Sequence, residues 1–90
     1  MEKLSENPAR SRRSGVQSIE IGGDLLEGMV RLGAPATLSD IAKAAGLPPA
    51  KAHRYLTSLC EIGLVLQQSN SGLYGLGPLA LRMGLAAISQ

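Results

Sequence analysis

The chain has 90 residues, a formal net charge of +2 and 44% apolar residues, which is enough for one small domain. Phe and Trp are absent, so its core must be built from Leu, Ile, Ala and Val, and the single cysteine, Cys60, excludes an intramolecular disulfide. No apolar run approaches the ~20 residues that span a bilayer, and no signal peptide is visible, so we expect a soluble cytoplasmic domain with no membrane partner.

Residues 1–15 form the first distinct segment. They contain Pro8, several serines and the cluster Arg10, Arg12 and Arg13. Because too few apolar side chains are present to offset the entropy of ordering, we predict a disordered basic arm. Such an arm can lie along phosphates or can simply keep the protein soluble, and the sequence leaves both open.

Residues 16–32 are predicted to form the first helix, because polar residues recur at steps of three or four and apolar residues fill the rest. Gly33 and Pro35 end it. Its apolar arc is wider than the roughly 100° stripe that burial of one side requires, which favours a partner helix on the surplus face. Gly22 and Gly23 each cost about 1 kcal/mol relative to Ala, so a frayed or kinked helix is the alternative.

A helix-turn-helix is predicted over residues 37–62. Thr37 is the N-cap of a helix at 38–45, and Gly46 closes that helix in the left-handed conformation. Pro48 and Pro49 then start a longer helix, because proline fits the first helical turn.

The longer helix, predicted over 49–62, has two contrasting sides. The predicted buried side consists of Ala52, Tyr55, Leu56, Leu59, Cys60 and Ile62. The predicted solvent-exposed side consists of Ala50, Lys51, His53, Arg54, Thr57, Ser58 and Glu61.

The C-terminal third predicts a β-hairpin followed by a helix. Strands are expected at 64–68 and 73–76 with a turn at 69–72, and a further helix follows Gly77 and Pro78. The fold class is therefore mainly α with a small β-hairpin. We predict a winged helix-turn-helix of three helices and a two-stranded wing over 16–76, followed by a linker helix that starts within 77–90.

The predicted solvent-exposed side of the longer helix carries the residues that suit DNA recognition. In a helix-turn-helix the N-terminal half of the second helix enters the major groove, which places Ala50, Lys51, His53, Arg54 and Thr57 toward base edges and phosphates. Arg54 can donate two hydrogen bonds to guanine, a contact worth about 1–3 kcal/mol of discrimination, and Lys51 more naturally meets phosphate. For each residue alone, an ordinary solvated helix surface is the alternative.

Two accessory contacts are also predicted. The start of the helix at 38–45 offers backbone N–H groups beside the Thr37 and Ser39 hydroxyls, which together form a phosphate site or an ordinary cap. The wing turn at 67–71 carries neutral polar residues and no cation, so we expect few wing contacts with DNA.

The sequence gives little support for a catalytic site. Cys60 falls on the predicted buried side, and His53 is the single histidine, so neither a cysteine nucleophile nor a zinc site of usual composition is indicated. The GLYGLG string lacks the G-K-[ST] ending of a phosphate loop. We expect no enzyme activity, no metal and no cofactor.

The strings GLPPAKAHRYL and YGLGP, together with a first helix that opens near VQSIE, resemble the N-terminal winged-helix domain of IclR-type bacterial transcription regulators. The resemblance covers residues 16–87. It implies a nucleoid-associated protein of the bacterial cytoplasm that binds double-stranded operator DNA as a dimer or a dimer of dimers. It also implies a C-terminal effector domain of about 150 residues or more, beyond Gln90, that senses a small molecule. By this resemblance the groove-reading positions fall on Pro49, Ala50, Lys51, His53 and Arg54, with Thr37 and Ser39 facing phosphate.

Two functions from different classes therefore stand side by side. The first is a sequence-specific DNA-binding domain that dimerises through the first helix and the C-terminal helix. The second is a winged-helix module that binds another protein through its surplus apolar face and has no affinity for duplex DNA.

Overall fold

The computed structural model describes residues 15–90, which form four helices and one two-stranded antiparallel sheet. The elements follow the order α1 (Gln17–Leu32), α2 (Leu38–Ala45), α3 (Pro49–Glu61), β1 (Val65–Gln67), β2 (Tyr74–Leu76) and α4 (Pro78–Ser89). This confirms the predicted mainly α winged helix-turn-helix. The predicted basic arm lies outside the described residues apart from Gly15.

Helix α2 has the predicted boundaries because both of its ends are specified locally. The Thr37 side chain accepts a hydrogen bond from the Asp40 N–H at 3.1 Å, which satisfies one of the free donors of the first turn. Gly46 adopts the left-handed conformation (φ 71°), and its N–H and that of Leu47 return to carbonyls of the last turn.

Several other boundaries differ from the prediction. Val16 is extended and only caps α1, and both strands are shorter than predicted, at 65–67 and 74–76. Helix α3 ends at Glu61, because Gly63 takes a positive φ of 86° and the Leu64 N–H turns back to the Leu59 carbonyl. Ile62 is therefore the C-cap and 58% exposed, so its predicted place on the buried side is wrong.

The core lies where α1, α2 and α3 meet the hairpin. Leu25, Ile41, Leu56 and Val65 are completely or almost completely buried, one from each of these four elements. The remaining buried apolar residues are Met29, Ala42, Ala52, Leu59 and Tyr74. Burying a side chain of Leu size contributes about 1.5–3 kcal/mol, so this small aliphatic cluster holds the helices in register.

Helix α1 is continuous through its glycines. Gly22 is buried near Leu59, whereas a Cβ added to Gly23 would meet nothing within 4 Å. Gly28, which the sequence analysis did not single out, lies closest to α2, because a Cβ there would be 3.2 Å from the Ala44 Cβ. The absence of a side chain at Gly28 thus lets α1 and α2 approach closely.

A backbone bridge outside the hairpin joins the wing to the start of α2. The Ala36 N–H donates to the Tyr74 carbonyl at 3.0 Å, and the Tyr74 N–H donates to the Ala36 carbonyl at 2.9 Å. The prediction of a purely two-stranded wing missed this pairing, because a single residue pair leaves no alternating pattern in the sequence. The bridge fixes the segment that leads into α2 against β2.

Helix α4 leaves the domain with little attachment. Its first turn is held by the Leu79 N–H, which donates to the Gly63 carbonyl at 2.9 Å, and none of its residues is buried. Leu81, Leu85 and Ile88 are exposed by 65%, 57% and 83%. Within residues 15–90, no helix combines the length and the apolar character needed to cross a bilayer.

Candidate nucleic-acid interface

The proline pair and the core together set the direction of α3. Pro48 is the extended N-cap (φ −63°, ψ 145°), its carbonyl accepts from the Ala52 N–H at 3.0 Å, and Pro49 occupies the first turn. Ala52, Leu56 and Leu59 are buried against the other helices and β1. The opposite side of α3 consequently faces solvent.

That exposed side carries nearly all of the predicted contact residues. Pro49, Ala50, His53, Arg54 and Thr57 are exposed, as are Ser58 and Glu61 farther along. Lys51, predicted on the same side, is half-buried. Because a lysine can pack its aliphatic stem while its ammonium reaches water, this position restricts the directions in which the charge can point.

Positive charge gathers at the beginning of α3. The cations Lys51 and Arg54 lie within four consecutive residues, and the first turn holds no acidic residue. The only carboxylate of α3 is Glu61, at the opposite end. Since the helix dipole is also positive at this end, the exposed start of α3 suits a polyanionic surface.

The Thr57 hydroxyl is already engaged within the helix. Its Oγ1 donates to the His53 carbonyl at 2.9 Å. A ligand at this position would therefore meet the Thr57 methyl group and an acceptor lone pair, while the hydroxyl proton stays with the backbone.

The residues predicted to face phosphate, Thr37 and Ser39, lie at the capped start of α2. Thr37 and Ser39 are exposed, and the Thr37 Oγ1 accepts from the Asp40 N–H. The Thr37 carbonyl accepts from the Ile41 N–H at 3.0 Å, which is the first bond of the helix. The N–H groups of Leu38 and Ser39 precede that bond and point out of the helix end, where an anion can accept from them.

Most polar side chains of the wing form hydrogen bonds within the wing. The Gln67 Nε2 donates to the Gly72 carbonyl at 3.1 Å, and the Ser71 hydroxyl donates to the Gln68 Oε1 at 2.6 Å. The Ser71 oxygen also accepts from the Leu73 N–H at 3.2 Å. These bonds shape the turn and leave Ser69 and Asn70 at its tip.

Cys60 lies on the inner side of α3 and is half-buried. Burial, with a smaller contribution from the Glu61 carboxylate, raises the pKa of the thiol, and the Gln67 backbone N–H opposes that shift. The thiol therefore stays protonated at neutral pH, which makes it a poor nucleophile. No group of three His, Cys, Asp or Glu side chains in the described part of the chain is placed to hold a metal ion.

One basic residue has a role that the sequence analysis missed. Arg31, near the end of α1, donates from its Nη2 to the Ala44 carbonyl of α2 at 2.8 Å. The sequence did contain a signal, because Pro48 and Pro49 lack the N–H groups that could follow the last carbonyls of α2.

Comparison with known proteins gives a consistent result. The family model for the IclR helix-turn-helix domain matches residues 18–69. The chain is 35% identical over 69 residues to the transcriptional repressor IclR of Escherichia coli (strain K12), covering 77% of this chain and 25% of that protein. The acetate operon repressor of Salmonella typhimurium (strain LT2) gives the same identity and coverage. The chain thus spans about a quarter of the length of the curated relatives it matches.

Solved structures share the same architecture. HmgR of Pseudomonas aeruginosa superposes with a TM-score of 0.80 at 40% identity, over 83% of this chain and 31% of that one. An IclR family transcriptional regulator from Brucella abortus superposes with a TM-score of 0.76 at 28% identity, over 97% of this chain and 34% of that one.

Proposed function

We propose that this chain, which belongs to the IclR helix-turn-helix family, binds double-stranded DNA as the sequence-reading domain of a transcription regulator. The observation that carries the proposal is the two-sided character of α3. One side is anchored in the core by Ala52, Leu56 and Leu59, and the other is exposed and basic at its start. A rigid helix with such a side is what major-groove recognition requires.

In this proposal the N-terminal half of α3 lies in the major groove. Arg54 donates to the O6 and N7 atoms of a guanine, and His53 reaches a base edge or a phosphate. Pro49, Ala50 and the Thr57 methyl group offer short apolar contacts, which suit the methyl group of thymine.

Phosphate contacts fix the orientation of the domain. The start of α2, with the Thr37 and Ser39 hydroxyls beside open N–H groups, binds one phosphate. Lys51 binds another, because it places a cation in the first turn of α3 and a half-buried lysine can still present its ammonium to solvent. The Ala36–Tyr74 bridge supports this arrangement, since it ties the entry to α2 to the hairpin.

Two exposed apolar surfaces support a homodimer. Ile19 on α1 is 73% exposed, and Leu81 and Ile88 on α4 are 65% and 83% exposed. Burial of such side chains in a partner contributes about 25 cal/mol per Å² of apolar surface. A dimer through α1 and α4 would present two copies of α3 to half-sites about one DNA turn apart.

The intact regulator is proposed to have a second function elsewhere. The chain matches a quarter of its curated relatives, and the matched part is the winged helix-turn-helix. We assign response to a small-molecule effector to the remaining part of the intact regulator.

The salt dependence of binding to random duplex DNA tests the proposal. If Lys51 of each protomer displaces a counterion, a dimer neutralises about two phosphates, and affinity falls about tenfold between 50 and 200 mM salt. Absence of duplex affinity at the lower concentration would contradict the proposal. That result would favour the alternative of a module that binds protein through its exposed apolar surface.

A further inference from the structure

The last backbone carbonyls of α2 have few local hydrogen-bond donors, and the sequence after the helix explains why. The last four carbonyls of a helix have no partner within it, and here they belong to Ala42, Lys43, Ala44 and Ala45. The Gly46 turn supplies donors for the first two, because the Leu47 N–H donates to Ala42 at 2.9 Å and the Gly46 N–H donates to Lys43 at 3.1 Å.

The following residues cannot extend this pattern. The next donors along the chain would come from positions 48 and 49, and both are proline, which has no N–H. The same prolines start α3, so the feature that begins the recognition helix also leaves the Ala44 and Ala45 carbonyls without a local donor.

Arg31 supplies the missing donor to Ala44 from a different helix. Its Nη2 lies 2.8 Å from the Ala44 oxygen, across a sequence separation of 13 residues. A cation at the negative end of a helix is also favoured by the helix dipole. Gly28, one turn earlier on α1, faces the same residue, and a Cβ there would be only 3.2 Å from the Ala44 Cβ. The Arg31 hydrogen bond and the close packing of Gly28 thus both involve Ala44.

We infer that Arg31 is a positioning residue for DNA recognition. It fixes the last turn of α2, and therefore the Gly46–Pro48 turn that sets the direction of α3, against the end of α1. Because α1 also belongs to the proposed dimer interface, this contact links the dimer helix to the recognition helix. The inference rests on the proposed DNA-binding function, but the contact itself is testable without DNA.

The matched variants are Arg31→Gln and Lys43→Gln. Both remove one positive charge near the end of α2, because Lys43 is an exposed residue of its last turn. Only Arg31→Gln removes the hydrogen bond to Ala44. Amide hydrogen exchange of the free protein, followed by NMR, measures the local effect, and duplex binding over a series of salt concentrations measures the functional effect.

Removal of the Arg31 contact should speed amide hydrogen exchange in the turn that follows α2. Loss of a hydrogen bond corresponds to about a two- to tenfold change in an equilibrium, so the Gly46 and Leu47 amides should exchange about that much faster in Arg31→Gln than in Lys43→Gln. Lys43→Gln, which removes a charge at the same helix end but no hydrogen bond, should accelerate the turn amides less. Turn amides that exchange no faster in Arg31→Gln than in Lys43→Gln would overturn the inference.

The DNA measurement separates positioning from direct contact. Arg31→Gln should weaken duplex binding about two- to fivefold and keep the slope of log affinity against log salt, because no phosphate contact is lost. A slope smaller by about 0.9 per protomer would instead mark Arg31 as a phosphate ligand and overturn the positioning role. If the unmodified chain fails to bind duplex, the proposed function fails, while the exchange rates still decide whether Arg31 fixes the turn.

Discussion

Gly77, between the wing and α4, is the position at which one added methyl group should do most harm. A Cβ at Gly77 would lie 2.5 Å from the Gly63 carbonyl oxygen and 3.1 Å from both the carbonyl carbon and the oxygen of Val65. All three are backbone atoms, so no side-chain rotation relieves the overlap. The Gly77 N–H also donates to the Leu64 carbonyl at 2.9 Å, which keeps the two segments from separating freely.

Overpacking of this kind costs about 1–3 kcal/mol, and for a domain of this size each kcal/mol lowers the Tm by about 4–8 °C. Gly77→Ala should therefore lower the Tm by at least about 4 °C. Gly23→Ala is the matched control, because its Cβ would meet nothing within 4 Å inside α1, and removing a helix-interior glycine adds about 0.5–1 kcal/mol. Thermal unfolding followed by circular dichroism measures both. A Gly77→Ala protein as stable as the unmodified chain would refute the packing argument.

Three further predictions address charge, pH and assembly. Lys51→Gln should weaken binding equally on all duplex sequences and reduce the salt slope by about 0.9 per protomer, and an unchanged slope would remove Lys51 from the phosphate contacts. Burial, with smaller help from Glu61, raises the pKa of the Cys60 thiol, and burial followed by Cys60 raises that of Tyr74. The unfolded chain thus loses these protons first, so the free energy of unfolding should fall as pH rises above about 9. In urea titrations this fall should be smaller in Cys60→Ala, and an equal fall would contradict the assignment. Ile88→Glu, at a position 83% exposed in the protomer, should shift the sedimentation coefficient to that of a monomer without lowering the Tm of the monomer, and an unchanged coefficient would contradict dimerisation through α4.

Features set by neighbouring residues were predicted well from the sequence. Thr37 and Gly46 specify the two ends of α2 through hydrogen bonds that span only a few residues, and both ends were predicted correctly. The exposed side of α3 followed from helical periodicity, which also placed His53 and Arg54 in solvent.

Features set by residues distant in the sequence were not predicted. The Ala36–Tyr74 bridge and the Arg31–Ala44 bond each depend on how separate elements pack, and neither produces a periodic pattern. The half-burial of Lys51 was missed for the same reason. Periodicity gives the helix face on which a side chain lies, but not how far neighbouring parts of the protein cover it. The exposure of Ile62 depended on where α3 ends, which Gly63 determines.

The central claim is that α3 reads DNA sequence through Arg54. The most direct measurement is selection of preferred duplexes from a random pool by the unmodified chain and by Arg54→Ala, with Glu61→Ala at the far end of α3 as the control. We predict that Arg54→Ala loses preference for one guanine in each half-site by about 5- to 150-fold, while Glu61→Ala retains it. Identical preferences for the unmodified chain and Arg54→Ala would contradict the claim.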